Sequence, residues 1–213
     1  MAESSAVSLD QLVGWLRRFT GLVTENRNYL TELDSAIGDA DHGSNMVRGM
    51  AAVMEKIAAT PSTSAGELFK QVGMTLVTSV GGASGPLYGT FFLRFGSTAG
   101  AVNELDGAGF AAALRAGFDG VIHRGKAEAG DKTMFDAMAP AVDAFDAELA
   151  SGADLASISA GAYAAAERGR DATEPLVARK GRASYLGQRS AGHLDPGATS
   201  TAMLFQALAE TLA

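Results

Sequence analysis

The chain has 213 residues, 47% of them hydrophobic and 19% charged, with a formal net charge of −7 and no cysteine. That length and balance predict a soluble globular protein with room for a real core, read as one domain over residues 1–213. The acidic balance argues against a nucleic-acid footprint and an anionic membrane partner, and the missing thiols exclude disulfides, zinc–thiolate sites and thiol catalysis.

No basic region followed by an apolar run opens the sequence, so no secretory signal is visible. Nor does any stretch approach the roughly 18 consecutive apolar residues of a spanning helix. A cytoplasmic location is the expectation.

The elements follow in order. Ser8-Leu9-Asp10-Gln11 is a capping box. Leu9, Leu12, Val13, Leu16, Phe19, Val23, Leu30 and Leu33 then keep the three-four spacing of a helix over 8–33. An acidic stretch, Asp34-Ser35-Ala36-Ile37-Gly38-Asp39-Ala40-Asp41-His42-Gly43-Ser44-Asn45, interrupts the pattern. Met46, Met50, Val53 and Ile57 mark a second helix, stopped by Thr60-Pro61. Ser64 to Glu67 is another capping box and opens a third, with Leu68, Val72 and Leu76. Gly81-Gly82-Ala83-Ser84-Gly85-Pro86 breaks the chain again, and a fourth helix runs on to about residue 101. Phe110 to Ile122 marks the fifth, Met134 to Leu149 the sixth, and an alanine-rich stretch over 154–169 the seventh. A polar, glycine-bearing segment leads to the last, over 198–212. Residues 75–80 are the best strand candidate, but they also fit a helix end. The fold class is all-α.

Four long glycine-bearing loops, 34–45, 81–86, 124–132 and 179–197, are each separated from the next by two helices. Short connections favour antiparallel neighbours, and two antiparallel helices return the chain to the end it left. All four loops are therefore expected at one end of an eight-helix bundle.

Each loop has a chemical reading beside a plain one. Three carboxylates within eight residues repel unless a cation sits among them, and a hard divalent ion such as Mg²⁺ takes carboxylate oxygens with substrate phosphates. The plain reading is a solvated acidic turn. Glycines before a helix start let backbone N–H groups close on an anion, with Ser84 adding a hydroxyl; the plain reading is a helix–turn–helix break. Residues 120–127 come within one residue of a phosphate-binding P-loop, but Ala127 stands where Ser or Thr is required and no strand precedes. Arg179 to Ser190 is the one clearly basic stretch and suits phosphate and charge balance, or is simply solvated. Asp195-Pro196-Gly197 opens the last helix as cap and turn. Of the three histidines, His42 is the functional candidate; His123 and His193 have no metal-ligand spacing.

Together LDSAIGDADHGSNM (33–46), GGASGPLYG (81–89), GDKTMFDAMAP (130–140) and KGRASYLGQRSAGHLDPGA (180–198) resemble, in order and over nearly the whole chain, the L subunit of dihydroxyacetone kinases. The resemblance implies an eight-helix antiparallel barrel with ADP or ATP and two Mg²⁺ ions at one end. It implies that Asp34, Asp39 and Asp41 hold the metals. His42, Gly43, Ser44 and Asn45 would line the phosphate side, and Ala83 and Ser84 would cradle phosphate. Gly125, Met134 and Arg182 would contact the nucleotide, and Asp195, Pro196 and Gly197 would close the pocket. The triose would be held by a separate K subunit. A phosphotransferase-system donor subunit would recharge the nucleotide in place. A homodimer is left open.

Three other readings compete. One is an all-helical dimetal ADP-ribosyl hydrolase, which also uses clustered aspartates. Another is a non-catalytic nucleotide sensor. The third is an ATP-exchanging kinase subunit for a different ketose, such as a tetrulose.

Overall fold

The computed structural model describes residues 6–213, and among them the regular structure is helical apart from one two-residue strand pair. α1 (Leu9–Glu25) opens on the expected capping box: Gln11 N–H donates to the Ser8 hydroxyl at 3.3 Å, and Ser8 N–H donates to Gln11 Oε1 at 2.9 Å. The helix expected over 8–33 breaks at Asn26, which sits at φ −102°, ψ 17°. Apolar periodicity does not register this break, because Leu22 and Val23 before it and Leu30 after it are all buried. The chain restarts as α2 (Arg27–Ile37), which makes nine α-helices of the expected eight.

Then come α3 (His42–Ala59), α4 (Ala65–Ser79), α5 (Ser84–Ala99), α6 (Gly107–Gly125), α7 (Met134–Ala150), α8 (Leu155–Asp171) and α9 (Pro196–Leu212). The strand candidate at 75–80 is the end of α4, with only Val80 extended. The polar stretch before α9 contains a 3-10 segment, Arg182–Ser190, which bends at Gly187 (φ 55°).

α1 packs on α3, each helix from α3 packs on the next, and α9 packs back on α1. This ring of eight is the expected barrel. α2 is the added helix, packed on α3, α9 and the 3-10 segment. α4 and α5 approach backbone to backbone: a Cβ on Gly73 would lie 2.7 Å from the Gly89 carbonyl oxygen.

At the end where α1 begins, β1 (Val7–Ser8) pairs antiparallel with β2 (Glu104–Leu105). Ala65 N–H donates to Val102 O at 2.7 Å and Leu9 N–H to Asn103 O at 2.8 Å, so the entries of α4 and α1 are tied to one connection. Inside this end lies an aromatic cluster. Trp15 packs 5.8 Å from Phe69, Phe69 4.4 Å from Phe95, Phe95 5.3 Å from Phe110, and Phe110 5.3 Å from Phe145, centroid to centroid. Offset and edge contacts of this kind add to the area these rings bury. Trp15 Nε1–H finds its partner in the Leu204 carbonyl, 2.8 Å away. The rings fill the barrel at this end, and the polar site is left to the other.

Candidate functional site

The opposite end carries a cleft of about 610 Å³, within the usual size of a small-molecule site. All four glycine-bearing loops line it. The expected parity is thus realised, with the kink at Asn26 carrying the chain through α2 before the acidic loop.

Asp34 lies in the last turn of α2 and is buried, while Asp39 is exposed and Asp41 half-buried. Each offers a carboxylate oxygen, and the three oxygens lie within 4.8 Å of one another. Asp34 Oδ2 accepts the backbone N–H groups of Asp41 (2.8 Å) and His42 (3.1 Å), which folds the loop back over it. Two local features make that fold possible. A Cβ on Gly38 would fall 2.0 Å from Asp34 Oδ1, so a side chain there would displace the carboxylate. Ala40, between the other two aspartates, takes the left-handed conformation at φ 62°, which costs a non-glycine residue about 1–3 kcal/mol where the surroundings enforce it.

Arg182 Nε donates to Asp39 Oδ2 at 2.9 Å. The 3-10 segment bearing Arg182 is anchored by a small apolar cluster of Ile37, Ala178 and Ala183. One exposed guanidinium beside three clustered carboxylates leaves excess negative charge. An all-oxygen donor set of this kind suits a hard divalent cation.

Across the cleft, Ala83 and Ser84 stand at the N-terminus of α5, where free N–H groups and the helix dipole favour an anion. Gly85 is held tight, since a Cβ there would meet the Val80 carbonyl oxygen at 2.3 Å. His42 begins α3 and is buried. Its Nδ1 lies 3.2 Å from Ser84 Oγ and its Nε2 2.9 Å from Ser200 Oγ. Burial holds the imidazole pKa below its ordinary value, against the pull of Asp34 and Asp41.

Gly125 and Met134, from the ends of α6 and α7, add to the wall. Thr133 caps α7 in a capping box with Asp136. Asp131, two residues earlier, accepts the Glu128 N–H at 2.9 Å and pairs with Arg179 at 3.0 Å. Asp195 caps α9, taking the Ala198 N–H at 2.7 Å, with Pro196 in the first turn. Burial pushes the Asp195 carboxyl up to about 7, helped by Asp136 and Asp34 and opposed by the Ala198 N–H and the Lys132 ammonium.

Of the residues singled out from sequence, three do not line the cleft. Gly43 packs against α2, where a Cβ would lie 2.1 Å from the Arg27 carbonyl oxygen. Ser44 Oγ takes a hydrogen bond from Arg27 at 3.3 Å. Asn45 is buried and accepts from Arg48 at 2.6 Å. Helical rotation turns Gly43 and Ser44 toward α2, and Asn45 toward the end of α4 and Gly81. His123 and His193 are exposed and stand outside the cleft.

Sequence reasoning missed Lys132, Tyr88, Ser200 and Thr201. Lys132 is 1% exposed, sits at φ 63°, and its Nζ donates to the carbonyls of Thr173 (2.8 Å), Leu176 (3.1 Å), Glu174 (3.3 Å) and His193 (2.5 Å). It staples both flanks of the basic loop to the start of α7. The run Thr199-Ser200-Thr201 inside the otherwise apolar stretch 196–205 was the available signal for the buried hydroxyls.

Residues 36–210 match the DAK2 domain family. The chain belongs to that family. It is 46% identical over 204 residues to the ADP-binding subunit DhaL of the PEP-dependent dihydroxyacetone kinase of Escherichia coli, covering 96% of this chain and 97% of that one. The ADP-binding subunit DhaL of the PTS-dependent kinase of Lactococcus lactis is 42% identical, with 97% and 100% covered. Among solved structures, the dihydroxyacetone kinase from C. freundii in complex with AMP-PNP and Mg²⁺ superposes with a TM-score of 0.70 at 30% identity. The match takes in 92% of this chain but 33% of that one, so this chain spans about a third of the C. freundii kinase. Membership in the family sets aside the ADP-ribosyl hydrolase reading. Among the described residues no helix is long and apolar enough to cross a membrane.

Proposed function

We propose that this chain is the nucleotide-binding, phosphoryl-transferring subunit of a dihydroxyacetone kinase, working as one domain in the cytoplasm. The observation that carries the reading is the cleft itself. It joins three clustered carboxylates to a glycine-lined helix N-terminus, in a chain 46% identical to an ADP-binding subunit over nearly its full length.

Asp34, Asp39 and Asp41 would hold two Mg²⁺ ions, which would supply charge neutralisation to the nucleotide's phosphates. The backbone around Ala83 and Ser84, with the Ser84 hydroxyl, receives phosphate oxygens at the start of α5. Arg182 sits on Asp39 at the mouth and balances charge there. Met134 and Gly125 give an apolar wall for the base, and Asp195, Pro196 and Gly197 close the pocket from α9. Phosphoryl transfer asks for positioning and charge stabilisation more than for a protein nucleophile, and this chain supplies positioning groups.

The keto sugar is held by a separate K subunit docked over the open end. A phosphotransferase-system subunit recharges ADP without its leaving. The sugar's identity therefore lies outside this chain, and a tetrulose is the second substrate to test.

The test is direct. Purified protein is treated with EDTA or left untreated, and its bound small molecules are identified by mass spectrometry. It is then assayed with a K subunit, with dihydroxyacetone or erythrulose, and with either ATP or a phosphotransferase donor. Bound ADP lost on chelation, and activity only with the K subunit, are expected. Phosphorylation of dihydroxyacetone by this chain alone, or no nucleotide under any condition, would overturn the reading.

A further inference from the structure

From the cleft wall a line of side chains runs back into the core, and three of them, Tyr88, Ser200 and Thr201, have been given no role. Thr201 Oγ1 is 3.2 Å from Tyr88 Oη, Tyr88 Oη is 2.8 Å from Ser200 Oγ, Ser200 Oγ is 2.9 Å from His42 Nε2, and His42 Nδ1 is 3.2 Å from Ser84 Oγ. Tyr88 is 1% exposed, and Ser200 and Thr201 are fully buried. Ser84, His42 and Tyr88 line the cleft, while Ser200 and Thr201 lie behind it. The line crosses three helices, α9, α5 and α3.

The proton directions along it follow from counting donors and acceptors. A buried hydroxyl that donates to nothing costs about 1–3 kcal/mol. Among the described residues the Thr201 hydroxyl has no hydrogen-bond partner but Tyr88, so its proton goes to Tyr88 Oη. The Tyr88 proton then goes to Ser200 Oγ, at the shorter distance. Ser200 now accepts one bond and has its own proton to give. Two acceptors stand near, the Gly197 carbonyl at 3.1 Å and His42 Nε2 at 2.9 Å. The ring nitrogen is the closer, and the carbonyl lies in the first turn of α9, where the helix's own N–H ladder supplies it. A proton donated to Nε2 leaves the imidazole proton on Nδ1. That N–H donates to Ser84 Oγ and fills a lone pair of the serine. The Ser84 hydroxyl proton is thereby turned away from the protein and into the cleft.

We propose that Thr201, Tyr88 and Ser200 are positioning residues. Through His42 they fix the Nδ1–H tautomer and present Ser84 as a hydrogen-bond donor to a phosphate oxygen. This deepens the nucleotide reading and rests on it for the identity of the acceptor. The direction of the line rests on geometry alone. Without the relay the serine hydroxyl is free to donate back to a bare Nδ1. It would then offer lone pairs to an already anionic ligand. The relay removes that alternative before the ligand arrives, which is preorganisation in the sense used for oxyanion sites.

The experiment uses the intact chain. Nitrogen-15 NMR of the histidine ring in wild-type protein, free of metal and nucleotide, reads the tautomer directly. A protonated Nδ1 and a bare Nε2 at His42 are expected. Tyr88→Phe and Thr201→Val each remove one donor with little change of shape. Each is expected to bring in the second tautomer and to weaken binding of ADP with Mg²⁺ by about three- to tenfold, the worth of one hydrogen bond. Ser84→Ala is expected to weaken binding similarly, and Tyr88→Phe added to it should cost nothing more. A proton on Nε2 in the wild type overturns the relay, and so does additivity of Tyr88→Phe with Ser84→Ala. The expected tautomer in a protein that binds no nucleotide would uphold the relay and overturn the phosphate reading, so the two failures are told apart.

Discussion

At the end of the barrel where α1 begins, Trp15, Phe69, Phe95, Phe110 and Phe145 pack ring on ring, and the helix entries are tied by backbone hydrogen bonds to one connection. At the other end the cleft opens between the loops. Three carboxylates lie within 4.8 Å, a lysine is buried among carbonyls, and Ala40 and Lys132 take left-handed backbone. The closed end gains from burial, which needs no direction. The open end depends on directed bonds and carries the strain and charge repulsion. A chain can keep such an end only if the other holds the ring together. That division of labour is common where a rigid scaffold presents loops.

The largest expected effect on stability tests the closed end. Phe95→Ala removes a fully buried ring from the cluster and is expected to cost about 3–5 kcal/mol. Urea unfolding should show the loss, while the molecules that remain folded keep their affinity for ADP. Loss of affinity in step with stability would break the separation of the two ends.

Next is the staple at the open end. Lys132→Met keeps length but takes the ammonium from four carbonyls, of which Thr173 and Glu174 keep a backbone N–H donor, at a cost of about 1–3 kcal/mol. Hydrogen exchange should rise over 173–194 and stay unchanged around Trp15. Uniform loosening would show that the ends are one cooperative unit.

A smaller effect comes from Asp195. Its carboxyl is raised to about 7 in the folded chain against 3.8 ordinarily. The folded state therefore holds the proton more tightly than the unfolded one. Stability from this group is present below the ordinary carboxylate range and falls as pH rises toward 7. In metal-free protein Asp195→Asn should flatten the dependence of unfolding free energy between pH 4 and about 7, because Asn keeps the cap without the charge. An unchanged slope would locate the titration elsewhere.

The smallest change in stability is expected from Asp39→Asn. The residue is exposed and its loss relieves repulsion, so unfolding should shift by no more than about 0.5 kcal/mol. Its ligand effect should be total: Mg²⁺–ADP is no longer retained. EDTA, which lowers the wild-type melting temperature by releasing ligand, should leave the variant unmoved. Retained nucleotide in Asp39→Asn would sink the metal assignment.

Much of the fold could be read in advance. Capping at Ser8, Ser64 and Thr133 is local chemistry, and three-four apolar spacing is local too, so helix order and the side of each loop followed from adjacent residues. The kink at Asn26 escaped because it leaves that spacing intact. At the site, the aspartates, Ser84 and Arg182 were legible because three carboxylates crowd into eight residues, a serine follows a glycine pair at a helix start, and a basic run stands out in an acidic chain. Gly43, Ser44 and Asn45 share the acidic motif in sequence but face α2 and α4, since helical geometry rotates successive residues about 100°.

Sequence by itself determined an all-α chain with its charged and glycine-bearing loops at one end, because helix period and loop parity are properties of neighbours along the chain. Tertiary structure alone decided which side chains share protons. Lys132 with the carbonyls near 173 and 193, and Ser84 with His42 and Ser200, are pairings between residues far apart in sequence. Their strength depends on distances of a few tenths of an ångström, which are set only when the ring of helices closes.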